Sequence, residues 1–194
     1  NFLHNKLFKS YSYKLKAIGL HNVYNGTASI IAGHLVGVKN SFINDALKNY
    51  IGVKRRFTYL GKVNLADIYD DYAHHPTEIY ATLSGAKQIN KNIIVVFQPH
   101  RYSRTKEYFN LFKNSLMISD FSIVTDIYPA GEDPIPGISS KNFEGDNIKY
   151  LQSTRYVPEY LSQEVNKGDV ILTLGAGDIT LLGPKILKYI NENK

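Results

Sequence analysis

From residue 57 onward, short apolar runs alternate with segments whose apolar residues recur every three to four positions. The runs at 64–69, 93–97, 121–125 and 170–174 are apolar and, in the last three, rich in β-branched residues. Continuous rather than alternating apolarity predicts parallel strands covered on both faces. Between them Pro76 suits the first position of a helix, with Ile79, Leu83, Ala86 and Ile89 on one face. Phe109, Phe112 and Leu116 form a second helical stripe, and Leu182, Ile186 and Ile190 a third. Alternation of strand and helix at this spacing predicts a doubly wound α/β domain, a mostly parallel sheet flanked by helices.

Residues 1–56 follow another pattern. Residues 7–18 alternate apolar and polar side chains (Leu7, Lys9, Tyr11, Tyr13, Leu15) and read as β structure. Residues 22–38, rich in small side chains, read as a helix, and 41–50 as a shorter one. None of this closes a core by itself. It reads as the end of a preceding domain joined through 52–61, which divides the chain into 1–53 and 54–194. The first residue is Asn, no secretory pattern follows it, and the sequence reads as a piece of a longer chain.

Charge sharpens this division. Residues 1–56 carry nine Lys/Arg against one acidic residue, a balance of +8, whereas 57–194 carry fourteen against sixteen, a balance of −2. A basic half points to an anionic partner, nucleic acid or a phosphorylated small molecule, or to an acidic face on preceding sequence. Hydrophobic content of 43% and charged content of 21% fit a soluble globular protein. No apolar stretch approaches the ~20 residues of a membrane span. The absence of cysteine excludes disulfides and thiolate metal sites and fits a reducing, cytoplasmic setting.

Sheets of this class bind ligands beyond the carboxyl ends of their strands. Three chemically loaded stretches fall there: 70–75 (DDYAHH), 98–105 (QPHRYSRT) and 175–178 (GAGD). A fourth, 128–140, with three prolines and two glycines, can border the same crevice. In HRYSRT, Ser103 or Thr105 can cap the following helix, placing Arg101 and Arg104 near its positive end. Two guanidinium forks beside free N–H groups suit a carboxylate or phosphate. A structural ion pair is the plainer alternative. In DDYAHHPTE a carboxylate leaving a strand commonly accepts from a ribose hydroxyl. His74 and His75 lie at a helix N-terminus, where imidazole basicity falls. A cap and a surface histidine account for the same residues. His74, His75 and His100 show no recognised metal-ligand spacing. Asn22 and Asn25, three apart, point their amides the same way and match adenine's N6/N7 edge, although Asn22 equally suits a helix cap. Lys54, Arg55 and Arg56 can grip phosphate oxygens or form a solvated charge run. The GAGD turn is unspecific, and no GxxxxGK[ST] phosphate loop exists in the 194 residues.

Together, HNVYN, GVKRRF, DDYAHHPTE, FQPHRYSRT and GAGD resemble, in order and approximate separation, the Mur ligases, ATP-dependent amide-forming enzymes of bacterial peptidoglycan assembly. The DDYAHHPTE and FQPHRYSRT pair is similar to the members that add L-alanine to UDP-N-acetylmuramate. The resemblance implies the end of a central ATPase domain followed by a Rossmann-like carboxy-terminal domain. It also implies an acyl-phosphate mechanism and closure of the second domain about the linker. Asn22 and Asn25 fall where the family contacts adenine, Arg56 where it approaches the nucleotide, and Asp71 where it meets the ribose. His74, His100, Arg101 and Arg104 fall where it holds the incoming amino acid, with His74, Arg101 and Arg104 in the catalytic set. The implied partners are ATP, UDP-N-acetylmuramate, L-alanine and the upstream domains, with no nucleic acid and no membrane. Mg2+ is implied, with ligands outside these residues, as is the phosphate loop, so these residues alone are expected to be inactive. The rival readings are a tripeptide-recycling relative, a nucleotide- or nucleic-acid-binding module without chemistry, and a Rossmann oxidoreductase. The last needs GxGxxG after its first strand.

Overall fold

A computed structural model describes residues 11–16, 20–50, 52–89 and 92–193. The chain forms two compact units, Asn1–Gly52 and Val53–Lys194.

In the first unit, α1 (Leu20–Leu35) and α2 (Asn40–Asn49) form a helical hairpin. Gly37 N–H bonds to His34 C=O at 3.1 Å and Val38 N–H to Gly33 C=O at 2.9 Å, the paired bonds of a Schellman stop that ends α1. Ile43 and Leu47 are the buried side chains of α2, and Gly33 lets Ile43 approach the α1 backbone. Of the span 7–18 read as β structure, 7–10 and 17–18 lie outside the described residues, and 11–16 contain no strand.

The second unit is a six-stranded sheet in the order β1-β2-β6-β3-β4-β5. The strands are β1 (Thr58–Val63), β2 (Ala66–Asp71), β3 (Ile93–Phe97), β4 (Phe121–Thr125), β5 (Ile148–Leu151) and β6 (Val170–Leu174). Only β1 runs antiparallel, against β2; every other pairing is parallel. Helices α3 (Pro76–Ile89) and α4 (Tyr102–Leu116) cover one face, and α5 (Val157–Glu164) and α6 (Leu182–Glu192) the other. Ile79, Leu83, Ala86, Phe112 and Leu116 pack on Val95, Phe97, Val124 and Leu172. Val157, Leu161, Ile186 and Ile190 pack on Ile68, Val96, Ile123 and Ile171. Every residue of β3 and β6 is buried, which is why those runs are apolar without alternation. Among the described residues no helix is long and apolar enough to cross a membrane.

The helices read over 22–38 and 41–50 run over Leu20–Leu35 and Asn40–Asn49, and two boundaries of the second unit also differ from the sequence expectation. The second strand begins at Ala66 rather than residue 64, because Asn64 (φ 47°) and Leu65 (φ 65°) form a two-residue hairpin turn. Residues 58–61 are not linker: they belong to β1, whose mixed burial and bulge between Tyr59 and Gly61 hide its strand character.

Ile171, in the central strand β6, is fully buried. Ile171→Ala should cost about 2–5 kcal/mol by the loss of methylenes and the cavity left behind, read by urea denaturation of the chain. Leu65→Ala, at a 55% exposed turn position, should change stability by no more than about 0.5 kcal/mol.

Candidate functional site

The carboxyl ends of β2, β3, β4 and β6 meet at one edge of the sheet, and the loops leaving them carry the polar side chains singled out above. After β2 the chain runs through Tyr72 and the two histidines into α3. His75 is its cap: Nδ1 accepts from Thr77 N–H at 3.3 Å, with Pro76 following as the first helical residue. Glu78 reaches back to the N–H groups of His74 (3.1 Å) and His75 (3.3 Å), completing a reciprocal cap. Burial alone would raise the Glu78 carboxyl, but those N–H groups and the His74 and Arg56 charges outweigh it and hold it below the usual carboxylate range. The His74 ring is thereby fixed, its Nδ1 3.0 Å from Tyr72 C=O and 3.4 Å from Glu78. Donation from Nδ1 to that carbonyl leaves the lone pair on Nε2.

The loop after β3 is held differently from the expectation. Neither Ser103 nor Thr105 caps α4, which starts at Tyr102, one residue before Ser103. Its first turn is closed by Glu132, whose carboxylate accepts from Ser103 N–H at 2.9 Å and from Ser103 Oγ at 2.6 Å. Thr105 Oγ1 instead donates back to Arg101 C=O at 2.8 Å. Arg101 occupies the cap position with φ 74°, a strained conformation for a side chain of its size. Two bonds hold it there: Tyr128 N–H to Pro99 C=O and Arg101 N–H to Tyr128 C=O, both 2.8 Å.

These contacts gather four basic side chains. The His100 and His74 rings lie 6.0 Å apart, and His100 stacks on Tyr128 at 5.5 Å and 17°. Burial, then Arg104, His74 and Arg101, push the His100 ring below the usual histidine range against the opposing Glu132. Arg101 is half exposed, its Nη1 3.9 Å from Glu132. His100 Nδ1 and Arg104 Nη1 are buried with no hydrogen-bond partner. Two such groups facing positive neighbours form a cradle for an anion, since burial without a partner is costly for both.

Asp71 and Arg56 sit beside this cluster. Asp71 is 3% exposed, and its oxygens accept from Ala73 N–H (2.7 Å) and Phe57 N–H (2.8 Å). Burial raises its pKa, with those two bonds and Arg56 acting the other way. Arg56 is partly exposed, 3.9 Å from Glu78 and 6.0 Å from the centre of the Tyr72 ring. Asn22 and Asn25 belong to the first unit. There they border an apolar pocket of about 530 Å³ with Leu15, Phe42, Leu47 and Tyr50.

Three contributors escaped the sequence reading. Arg55, grouped with its neighbours as a phosphate-binding run, is a strut: it bonds Asp70 at 3.0 Å and Gly175 C=O at 2.6 Å and stacks on Tyr72. Tyr128 and Glu132 were legible only as members of a Pro- and Gly-rich loop. Gly177 allows that loop to close, because a Cβ there would stand 2.6 Å from both Gln98 Oε1 and Tyr128 Cγ.

Residues 55–177 match the Mur ligase, glutamate ligase domain family, and the chain belongs to that family. It is 41% identical over 187 residues to a UDP-N-acetylmuramate–L-alanine ligase of Desulforamulus reducens, covering 92% of this chain and 40% of that protein. A UDP-N-acetylmuramate–alanine ligase of Thermotoga maritima superposes with a TM-score of 0.80 at 28% identity, over 95% of this chain and 41% of that one. A Thermotoga maritima MurF ligase in complex with ADP, at 19% identity and a TM-score of 0.73, shares the fold. The chain therefore spans about 40% of the length of the curated relatives it matches.

The arrangement predicts an unusual titration. The His100 ring should protonate at lower pH than an ordinary histidine, and Arg104→Ala should move its midpoint upward, read by ring-proton NMR of the chain. A midpoint that stays put would show that Arg104 does not face His100.

Proposed function

We propose that this chain is the amino-acid-binding part of an ATP-dependent ligase that joins L-alanine to UDP-N-acetylmuramate in peptidoglycan synthesis. The observation that carries this reading is the pair of partnerless buried nitrogens, His100 Nδ1 and Arg104 Nη1, set among four basic side chains. Relatives named for that reaction at about 40% identity support it. In this reading residues 1–53 are the end of the nucleotide-binding domain, and the protein works in the cytoplasm.

The chemistry requires an amine to attack an activated carboxylate while its own carboxylate is kept aside. Arg101 and Arg104 bind the alanine carboxylate through guanidinium N–H donors, and neutral His100 adds its Nδ1 contact. Clamped at that end, alanine has only one reactive group left to present. His74, its Nδ1 committed to the Tyr72 carbonyl, offers the Nε2 lone pair to the proton released as the amine forms the amide. ATP supplies the activated acyl phosphate when bound. The carboxamides of Asn22 and Asn25 above an apolar floor fit a purine base. Arg56, partly exposed on the second unit, is a guanidinium donor suited to a phosphate oxygen. Asp71 holds the backbone of that loop with both oxygens and accepts the ribose hydroxyl through their remaining lone pairs. Among the described residues no group of three or more His, Asp or Glu is placed to hold a metal ion.

In the full-length ligase carrying this chain, Arg104→Ala should raise the KM for L-alanine about 10- to 100-fold, the worth of a charged hydrogen bond. The KM for ATP should move by less than about three-fold, since a distant contact is untouched. Steady-state kinetics with each substrate varied separately decide it; equal effects on both would refute the clamp.

A further inference from the structure

A second pocket lies at the same sheet edge. It has a volume of about 480 Å³ and its lining includes Gln98, Thr125, Asp126, Tyr128, Arg155 and Asp178. Side chains alternate along β4, and Ile123 belongs to the core beneath α5 and α6, so Thr125 points to that face. The basic cluster rises from α3 and α4, on the opposite face. Thr125 is 1% exposed, and its Oγ1 has no hydrogen-bond partner. A hydroxyl buried without a partner beside an open polar cavity marks a place where a ligand atom belongs.

Tyr128 is common to both sites. Its ring stacks on His100 of the cluster, and it lines the second pocket. The Gly177 backbone holds it from behind, leaving no room for a Cβ. We propose that Tyr128 is the wall between the amino-acid clamp and this pocket, and that it limits the clamp to a short side chain. The proposal rests on the clamp reading given above. With the wall removed, the pocket becomes a side-chain subsite continuous with the clamp.

The lining says which side chains it would take. Asp126 is oriented by Tyr150 Oη at 2.6 Å and Asp178 by Gln98 Nε2 at 2.7 Å. Each carboxylate gives one oxygen to its protein donor. Arg155 is the one guanidinium in the lining and lies over the Tyr156 ring at 4.5 Å. Two carboxylates against one guanidinium favour a side chain that ends in an ammonium group and disfavour one that ends in a carboxylate.

The test compares kcat/KM for L-lysine, L-norleucine and L-glutamate with that for L-alanine in the full-length ligase carrying this chain. Tyr128→Ala should raise the lysine-to-alanine ratio at least about ten-fold, norleucine less, and glutamate not at all. Tyr128→Phe, which keeps the ring, should retain the wild-type ratio. Tyr128→Leu keeps apolar packing against Gly177 and is measured in parallel, so that loss of the fold in the alanine variant still leaves a ratio to read. Adding Asp178→Asn to Tyr128→Ala should remove most of the lysine gain. A lysine ratio within about two-fold of wild type in a variant that melts cooperatively would overturn the proposal. Failure of the clamp itself is separable, because it would leave the alanine KM unmoved by Arg104→Ala.

Discussion

Two backbone hydrogen bonds of 2.8 Å, from Tyr128 N–H to Pro99 C=O and from Arg101 N–H to Tyr128 C=O, set the geometry of the whole edge. They continue the parallel pairing of β3 and β4 past the ends of both strands, through an isolated bridge between His100 and Tyr128. Arg101, bonded in that ladder, is non-helical at φ 74° and ψ 138°, and α4 begins one residue later. The strain, of the order of 1–3 kcal/mol for such a conformation, is tolerated because the strands beneath determine it. Without the ladder, His100 and Arg101 would lie on an ordinary loop and no cluster would form.

The cluster is electrostatically unfavourable by itself. His74, His100, Arg101 and Arg104 crowd together, with Glu132 3.9 Å from Arg101 and Glu78 3.4 Å from His74 Nδ1 as the carboxylates set against them. Glu132 also closes the first turn of α4 through Ser103, so it cannot turn fully toward the guanidinium groups without giving up the helix start. The positive charge is therefore only partly compensated. A simple structural ion pair would have consumed that charge. Depressing His100 reduces the repulsion further, since the ring stays neutral.

How much of this was legible depended on whether the partner lay nearby in sequence. The start of α3 could be read from HHPTE because cap, first-turn proline and reaching glutamate fall within five residues. The start of α4 could not, because its capping carboxylate, Glu132, lies 29 residues beyond Ser103. The buried strands β3 and β6 announced themselves by unbroken apolarity. The edge strands β1 and β5 did not: half-exposed, and only six and four residues long, they show neither a clean alternation nor an unbroken run. Arg55 looked identical to Arg56 in the sequence. Only the fold brings Asp70 and the Gly175 carbonyl, 120 residues away, to its guanidinium and makes it a strut. The positions of His74, His100, Arg101 and Arg104 at one edge followed from strand ends alone, whereas the orphaned nitrogens that give the cluster its chemistry required side-chain packing.

The loop from Asp126 to Glu132 ties together the two faces of one sheet edge. At its start Asp126 borders the second pocket and accepts a hydrogen bond from Tyr150 Oη. Two residues on, Tyr128 crosses the edge and stacks on His100. At its end Glu132 reaches the α3–α4 side and fastens Ser103. Since both faces are tied to one short, proline- and glycine-bearing segment, a change in the loop moves both pockets together. The glycine opposite, Gly177, is the counterpart of that constraint: any side chain there would displace Tyr128 and Gln98 at once. The close approach of the Gly177 backbone therefore fixes where the Tyr128 ring stands, against His100 on one side and the second pocket on the other.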